Sequence, residues 1–142
     1  MRRMASVALF CCLATLPMMA ADVTGTWTYE VRGGVTVWGK QAPGSYHPLE
    51  KVLISLKAEG DLLTGSVTFP PAGAARTTVR QISNGKIDGD NLSFDTVSVT
   101  LGTRMITHYV GKVDGDSIHF TVKTGGGAGQ GTPFDAHRST EN

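Results

Sequence analysis

From Asp22 onward, apolar and polar positions alternate with a period of two between glycine, proline and Asp-containing breaks, and no stretch carries a helical period. The alternation predicts eight strands, at about 24–32, 50–58, 62–69, 76–87, 91–101, 104–113, 117–124 and 132–139. One phrase sets their registers. GKIDGDNLSF, residues 85–94, returns as GKVDGDSIHF, residues 111–120. A two-residue hairpin loop at Gly89-Asp90 places Ile87 across from Leu92, Lys86 across from Ser93 and Gly85 across from Phe94. The same loop at Gly115-Asp116 pairs Val113 with Ile118, Lys112 with His119 and Gly111 with Phe120. Gly is wanted first because that position of a type II′ turn needs φ > 0, and an aromatic lying over a strand glycine covers its bare backbone. A third copy, at Gly60-Asp61, sets Ala58 against Leu63, Leu56 against Gly65 and Ile54 against Val67. Sliding any turn by one residue puts an apolar side chain opposite an aspartate. The repeat does not suit calcium: Leu92 and Ile118 occupy the fifth loop position, where a ligand is needed, and Val99 stands where the closing Glu belongs.

Parity then nominates Val52, Ile54, Leu56, Leu63, Val67, Ile87, Leu92, Phe94, Val113, Ile118, Phe120 and Val122 as core. With short connections, consecutive strands are expected to be antiparallel neighbours, and eight such strands remove their edges by closing. The expected fold is all-β, an eight-stranded antiparallel up-and-down barrel. Its first connection, GGVTVWGKQAPGSYHP, is the one segment long enough to act as a lid or an extra hairpin.

The two ends of this domain add a further clue. Gly25-Thr26-Trp27 opens the first strand, and Phe134, Ala136 and Arg138 share the inward parity of the last. The G-x-W start resembles the lipocalin and avidin group of barrels, in which that tryptophan packs against a cation from the last strand. The resemblance implies a structural pair of Trp27 and Arg138 at one barrel end. DVTGTWTYEV, LTGSV, ISNGKIDGDNLSF, YVGKVDGD and the glycine run before FDAHR also resemble a group of small secreted bacterial barrel proteins without an assigned activity. That likeness implies a fold and an export route, with no catalytic residues to transfer. The segment from Trp38 to Pro48 is longer than the first hairpin of that group.

Residues 1–21 read as a secretory signal peptide: Arg2 and Arg3, an apolar run from Val7 to Leu16, then small residues, with cleavage after Ala20 or Ala21. The run is too short to span a bilayer. Residues 22–142 then form a single β-barrel domain, secreted to a periplasmic or extracellular space. Both cysteines, Cys11 and Cys12, leave with the signal, so the core must hold the fold without disulfides. Without Arg2 and Arg3, eleven basic residues stand against twelve acidic ones. That balance points to no nucleic acid and no anionic membrane as partner, and no membrane span is expected.

Chemistry is sparse. His47, His108, His119 and His137 offer no convergent set of three or four ligands, so no metal is expected. No nucleophile elbow, catalytic cysteine or facing carboxylate pair appears, and the domain is read as a non-enzyme without cofactors. One region resists a purely structural reading. Unbroken parity places Thr96, Ser98, Thr107 and Tyr109 inside, opposite the Trp27 end, and turns Val97, Val99, Leu101, Ile106 and Val110 outward as an apolar patch. The reading favoured by apolar burial is instead a bulge near Asp95 and another near Tyr109, each flipping the phase and burying those residues. On the first reading Tyr29, Thr96, Ser98, Thr107 and Tyr109 line a pocket of hydroxyls without charge, over which Trp38 and Tyr46 close. Such a lining suits a small neutral polar ligand, a sugar or an amide, better than a fatty acid or an ion. The expected function is a secreted binding module for a small molecule or a cell-surface partner, with self-association through the outer patch open to it. A structural envelope protein and an enzyme of unrecognised type are the alternatives.

Overall fold

The computed structural model describes residues 21–32, 49–71, 76–125 and 130–140. Eight strands succeed one another: β1 Gly25–Arg32, β2 Leu49–Glu59, β3 Leu62–Phe69, β4 Thr78–Asp88, β5 Asn91–Thr100, β6 Thr103–Asp114, β7 Ser117–Thr124 and β8 Thr132–Arg138. Each pairs antiparallel with the next, and β1 closes on β8 through Trp27↔Arg138 and Thr28↔His137. The chain is an all-β closed barrel, and the described residues contain no helix. Only β3 and β7 keep both expected limits; one or both limits of the other six strands move by one or two residues, as frayed ends do.

The three Gly-Asp loops are two-residue hairpins with Gly60, Gly89 and Gly115 at φ 66°, 59° and 59°, while the aspartates after them stay out of the left-handed region. That combination is the type II′ turn. Each aspartate carbonyl then accepts from a strand further on: Asp61 from Ile87 N–H, Asp90 from Val113 N–H and Asp116 from Arg138 N–H, at 2.9, 2.8 and 2.9 Å. The repeated phrase therefore ties neighbouring hairpins together as well as turning each one. Because these loops join β2–β3, β4–β5 and β6–β7, all three lie at one end of the barrel, with the start of β1 and the end of β8. The other end receives the β1–β2, β3–β4, β5–β6 and β7–β8 connections.

Burial follows this polarity. The core comprises Val23, Trp27, Val52, Ile54, Leu56, Leu63, Val67, Ile87, Leu92, Phe94, Tyr109, Val113, Ile118, Phe120 and Ala136. Towards the other end, the inward residues Tyr29, Val31, Phe69, Ile82, Val122 and Phe134 are only partly buried. Val122, expected in the core, belongs to this half-buried ring. The Gly-Asp end is thus closed, and among the described residues the opposite end is the more open.

Two register expectations need correction. Gly85 does not face Phe94: the β4–β5 pairing runs from Ile87↔Leu92 and Lys86↔Ser93 directly to Ser83↔Asp95 and Ile82↔Thr96, so Asn84 and Gly85 together oppose one residue. This is a β-bulge on β4, with Asn84 at φ 52°. A Cβ on Gly85 would lie 1.9 Å from the Leu63 carbonyl oxygen, so β3 approaches too closely for any side chain there. The bulges expected near Asp95 on β5 and near Tyr109 on β6 are absent, since β5–β6 and β6–β7 pair without a break. Gly111 does face Phe120 as expected.

Candidate functional site

The closed end is a packed plug. Residues 21–24 cross it, with Ala21 N–H donating to the Gly89 carbonyl and Val23 buried. The Trp27 indole N–H donates to the Val23 carbonyl at 2.9 Å. Arg138 lies over the Trp27 ring, its guanidinium carbon 4.4 Å from the centroid. Its Nη1 donates to the Thr24 carbonyl at 2.9 Å, Nη2 to the Asp22 carbonyl at 2.7 Å and Nε to Asp116 Oδ1 at 3.3 Å. The fork has a different acceptor for each nitrogen, supplied by the segment before β1 and one Gly-Asp loop. Trp27 and Arg138 hold the structure at this end.

The open end differs in kind. Unbroken β5–β6 pairing sets Thr96 against Thr107 and Phe94 against Tyr109, with all four buried. Val99, Leu101, Ile106 and Val110 are exposed, joined by Val79 of β4, while Met105, on the inner face, is exposed at the rim. Val97 and Ser98 are half-buried. The phase-flip alternative therefore fails, and the polar interior with an apolar outer strip is what the register produces. Leu101 and Gly102, at φ 50° and 77°, form the β5–β6 turn, with Leu101 fully exposed at the tip. Expected to end a strand, this leucine instead sits in left-handed backbone that disfavours a branched side chain.

Tyr29, Thr96, Thr107 and Tyr109 share the interior, with Ser98 nearer the rim. Beneath and between them lies an aromatic cluster. Tyr29 stacks on Phe134 at 4.1 Å, Phe134 on Phe120 at 5.2 Å and Phe94 on Tyr109 at 4.7 Å between centroids. Burial pushes the Tyr29 phenol well above its usual range, and the neighbouring Tyr109 phenol adds to this. Burial likewise raises Tyr109, opposed by the Thr96 hydroxyl and the Arg80 charge. Both phenols stay protonated and serve as hydrogen-bond donors. Thr107 Oγ1 meets Thr124 Oγ1 at 3.3 Å. Thr96 is fully buried, yet its hydroxyl makes no bond of hydrogen-bond geometry with any described residue. Trp38 and Tyr46, expected to close over this region, lie outside the described residues.

The lining is not free of charge, as the sequence had suggested. The bulge at Asn84-Gly85 reverses the phase of the rest of β4, so Ile82 and Arg80, not Ser83 and Gln81, turn inward. Arg80 pairs with the buried Val67. Its guanidinium carbon lies 4.5 Å from the Phe69 ring centroid, and its buried Nε has no acceptor among the described residues. Parity from the Gly-Asp turn concealed Arg80. The Asn84-Gly85 pair was the signal, since both residues tolerate the backbone a bulge requires.

The described histidines sit outside the barrel, each with a partner. His108 Nδ1 meets Asp95 Oδ1 at 2.6 Å, His119 Nδ1 meets Asp135 Oδ1 at 2.6 Å and His137 Nδ1 meets Ser117 Oγ at 3.0 Å. Burial opposes ionisation of Asp95, but Asn84 and His108 outweigh it and hold the carboxyl below its usual value. No group of three metal-ligating residues occurs among the described residues. Nor is any helix among them long and apolar enough to cross a membrane. A groove of about 750 Å³ runs where the bulge parts β3 from β4, beside Leu62, Thr64, Asn84 and Lys86. It contains none of the hydroxyl set. Comparison of the chain with protein-family models, curated proteins and solved structures returned no match.

Proposed function

We propose that the protein is an exported binding module that holds a small molecule in the open half of its barrel and catalyses no reaction. The observation that carries this reading is the Thr96 hydroxyl, fully buried at the foot of the half-exposed ring with the Tyr109 phenol beside it and no hydrogen bond of good geometry to any described residue. An unsatisfied buried hydroxyl costs about 1–3 kcal/mol, and native interiors rarely keep one without a reason. A bound molecule that accepts from Thr96 and from the Tyr29 and Tyr109 phenols removes that cost. Residues 1–21 are proposed to direct export and to be removed in the process.

Native mass spectrometry of the protein released by its own host tests both parts. The expected result is a chain lacking its first twenty or twenty-one residues and carrying a low-mass adduct that denaturation releases. A bare chain, together with unmoved Tyr29 and Tyr109 ring resonances when small-molecule mixtures are added, sinks the binding reading.

A second reading is favoured by the strip of Val99, Leu101, Ile106 and Val110, which leaves apolar surface in water along two paired strands. A second copy of the chain is the occupant considered. Sedimentation of wild type against Val99→Lys decides it: a concentration-dependent dimer that the substitution abolishes supports self-association, and a monomer at high concentration ends it.

A further inference from the structure

We infer that the open half of the barrel selects a small, flat aromatic monocarboxylate, with Arg80 as the residue that determines this specificity. The inference rests on the binding reading above and replaces the neutral ligand expected from hydroxyls alone.

Arg80 is placed by register. Residues directly across a strand pair share a face. Arg80 stands across from the buried Val67, and Ile82, two positions on, stands across from the buried Thr96. Arg80 therefore projects to the inner side, where the Phe69 ring supports its guanidinium. Its Nε is buried without an acceptor, and no carboxylate of the described residues lies within ion-pair distance. Glu50 shares the inward parity of β2 through Val31↔Glu50 but forms no ion pair with Arg80. A guanidinium that stacks on an aromatic face while keeping its donors free is arranged to receive an anion.

The neighbouring groups narrow the anion. By register Arg80 faces the same interior as Tyr29 and Tyr109, and both phenols feel its charge. The orphaned Thr96 hydroxyl lies on that inner face as well. Arg80 with three neutral donors suits a monoanion, and the inward Glu50 carboxylate weighs further against a dianion such as phosphate. A carboxylate offers two oxygens with about four acceptor sites, enough for the guanidinium and the hydroxyls together.

Ligand size is set by what already fills the barrel. Phe94, Tyr109 and Phe120 are buried and in mutual ring contact, with centroids 4.7–6.3 Å apart, so they floor the space and exclude a long alkyl chain. Above this floor, Tyr29 and Phe134 form a half-buried stacked pair. Such a wall accepts a flat ring, since offset and edge-on contacts between rings are both favourable.

The test uses 2-naphthoate and 2-naphthamide, which share a ring system and differ in charge, with the full secreted chain in calorimetric titrations. Wild type should bind the acid at least roughly tenfold more tightly than the amide. Arg80→Gln should weaken the acid by roughly tenfold to a hundredfold, the range of a hydrogen bond to a charged group, and leave the amide nearly unchanged. Arg80→Lys keeps the charge without the fork and should retain part of the preference. Circular dichroism establishes that each variant is folded, and the wild-type comparison of acid with amide needs no variant at all. Equal affinity for the two probes overturns the acid specificity and leaves the binding reading standing. Failure of folded wild type to bind either probe overturns the aromatic-acid inference, and the native mass measurement then decides the binding reading separately.

Discussion

The barrel stacks an arginine on an aromatic ring at each end, and the two pairs have almost the same distance, 4.4 Å for Arg138 over Trp27 and 4.5 Å for Arg80 over Phe69. Their surroundings differ. Arg138 donates from all three guanidinium nitrogens to chain acceptors, and Trp27 beneath it is fully buried. Arg80 keeps an Nε without an acceptor among the described residues, and Phe69 is only partly buried. One contact closes the fold and the other is left unfinished. The same contrast runs through the loops: the closed end repeats one turn three times, while the open end has Leu101 strained at its tip and Thr96 unsatisfied below its rim. Favourable residues at one end and unfavourable ones at the other fit the binding proposed for the open end, since sites are commonly kept at the expense of stability.

Substitutions should therefore change sign from one end to the other. The largest effect is expected for Trp27→Ala, which empties the closed end and should cost about 4 kcal/mol in chemical denaturation. A loss below about 1 kcal/mol would mean that the plug does not hold the barrel. Arg138→Ala should cost about 3 kcal/mol, because it removes the ring contact and leaves the Thr24 and Asp22 carbonyls without their donors. At the open end, Thr96→Val preserves shape and removes the orphaned hydroxyl, so the ligand-free protein should gain about 2 kcal/mol. A loss instead would show that the hydroxyl is satisfied in solution. Leu101→Asn, relaxing a left-handed residue at an exposed turn, should raise stability by about 1 kcal/mol in thermal melts.

The smallest effect sharpens the comparison by pH. The Asp135 carboxylate bonded to His119 raises that imidazole above its ordinary 6.5, with Asp114 adding to it. A raised folded-state value means that the stability is fully present below the unfolded value and is lost as pH rises through the folded one. Stability should thus fall slightly as pH climbs above 6.5, and His119→Gln should flatten that slope. An unchanged slope in the variant assigns the effect to another group.

The closed end was legible in the chain because its rules are local. Gly-Asp with flanking apolar positions names a turn, the turn sets two strands, and the pattern recurs, so Ile87↔Leu92, Val113↔Ile118 and Ile54↔Val67 follow from adjacent residues. Thr96, Thr107 and Tyr109 were only half legible: unbroken phase from the turns places them inside, but the outward apolar residues argued for bulges on β5 and β6, and only the pairing itself decided between the two. Arg80 was not. Its inference ran through Asn84-Gly85, and alternation carries information only as far as a strand keeps step with its neighbours.

By itself, then, the sequence determined eight strands, their order, the closed end with its three identical turns and the parity of every strand that pairs without a break. Those features depend on residues near one another, where φ preferences and alternation act directly. Tertiary structure alone decided that β4 slips by one residue. The Leu63 carbonyl presses against Gly85, and Asn84 Nδ2, donating to Asp95 Oδ2 at 2.9 Å, anchors the extra residue to β5. Both contacts come from neighbouring strands, β3 on one side and β5 on the other, which flank the bulge only once the three strands have paired. Through that one residue of slip, Arg80 faces inward and the open end acquires its charge.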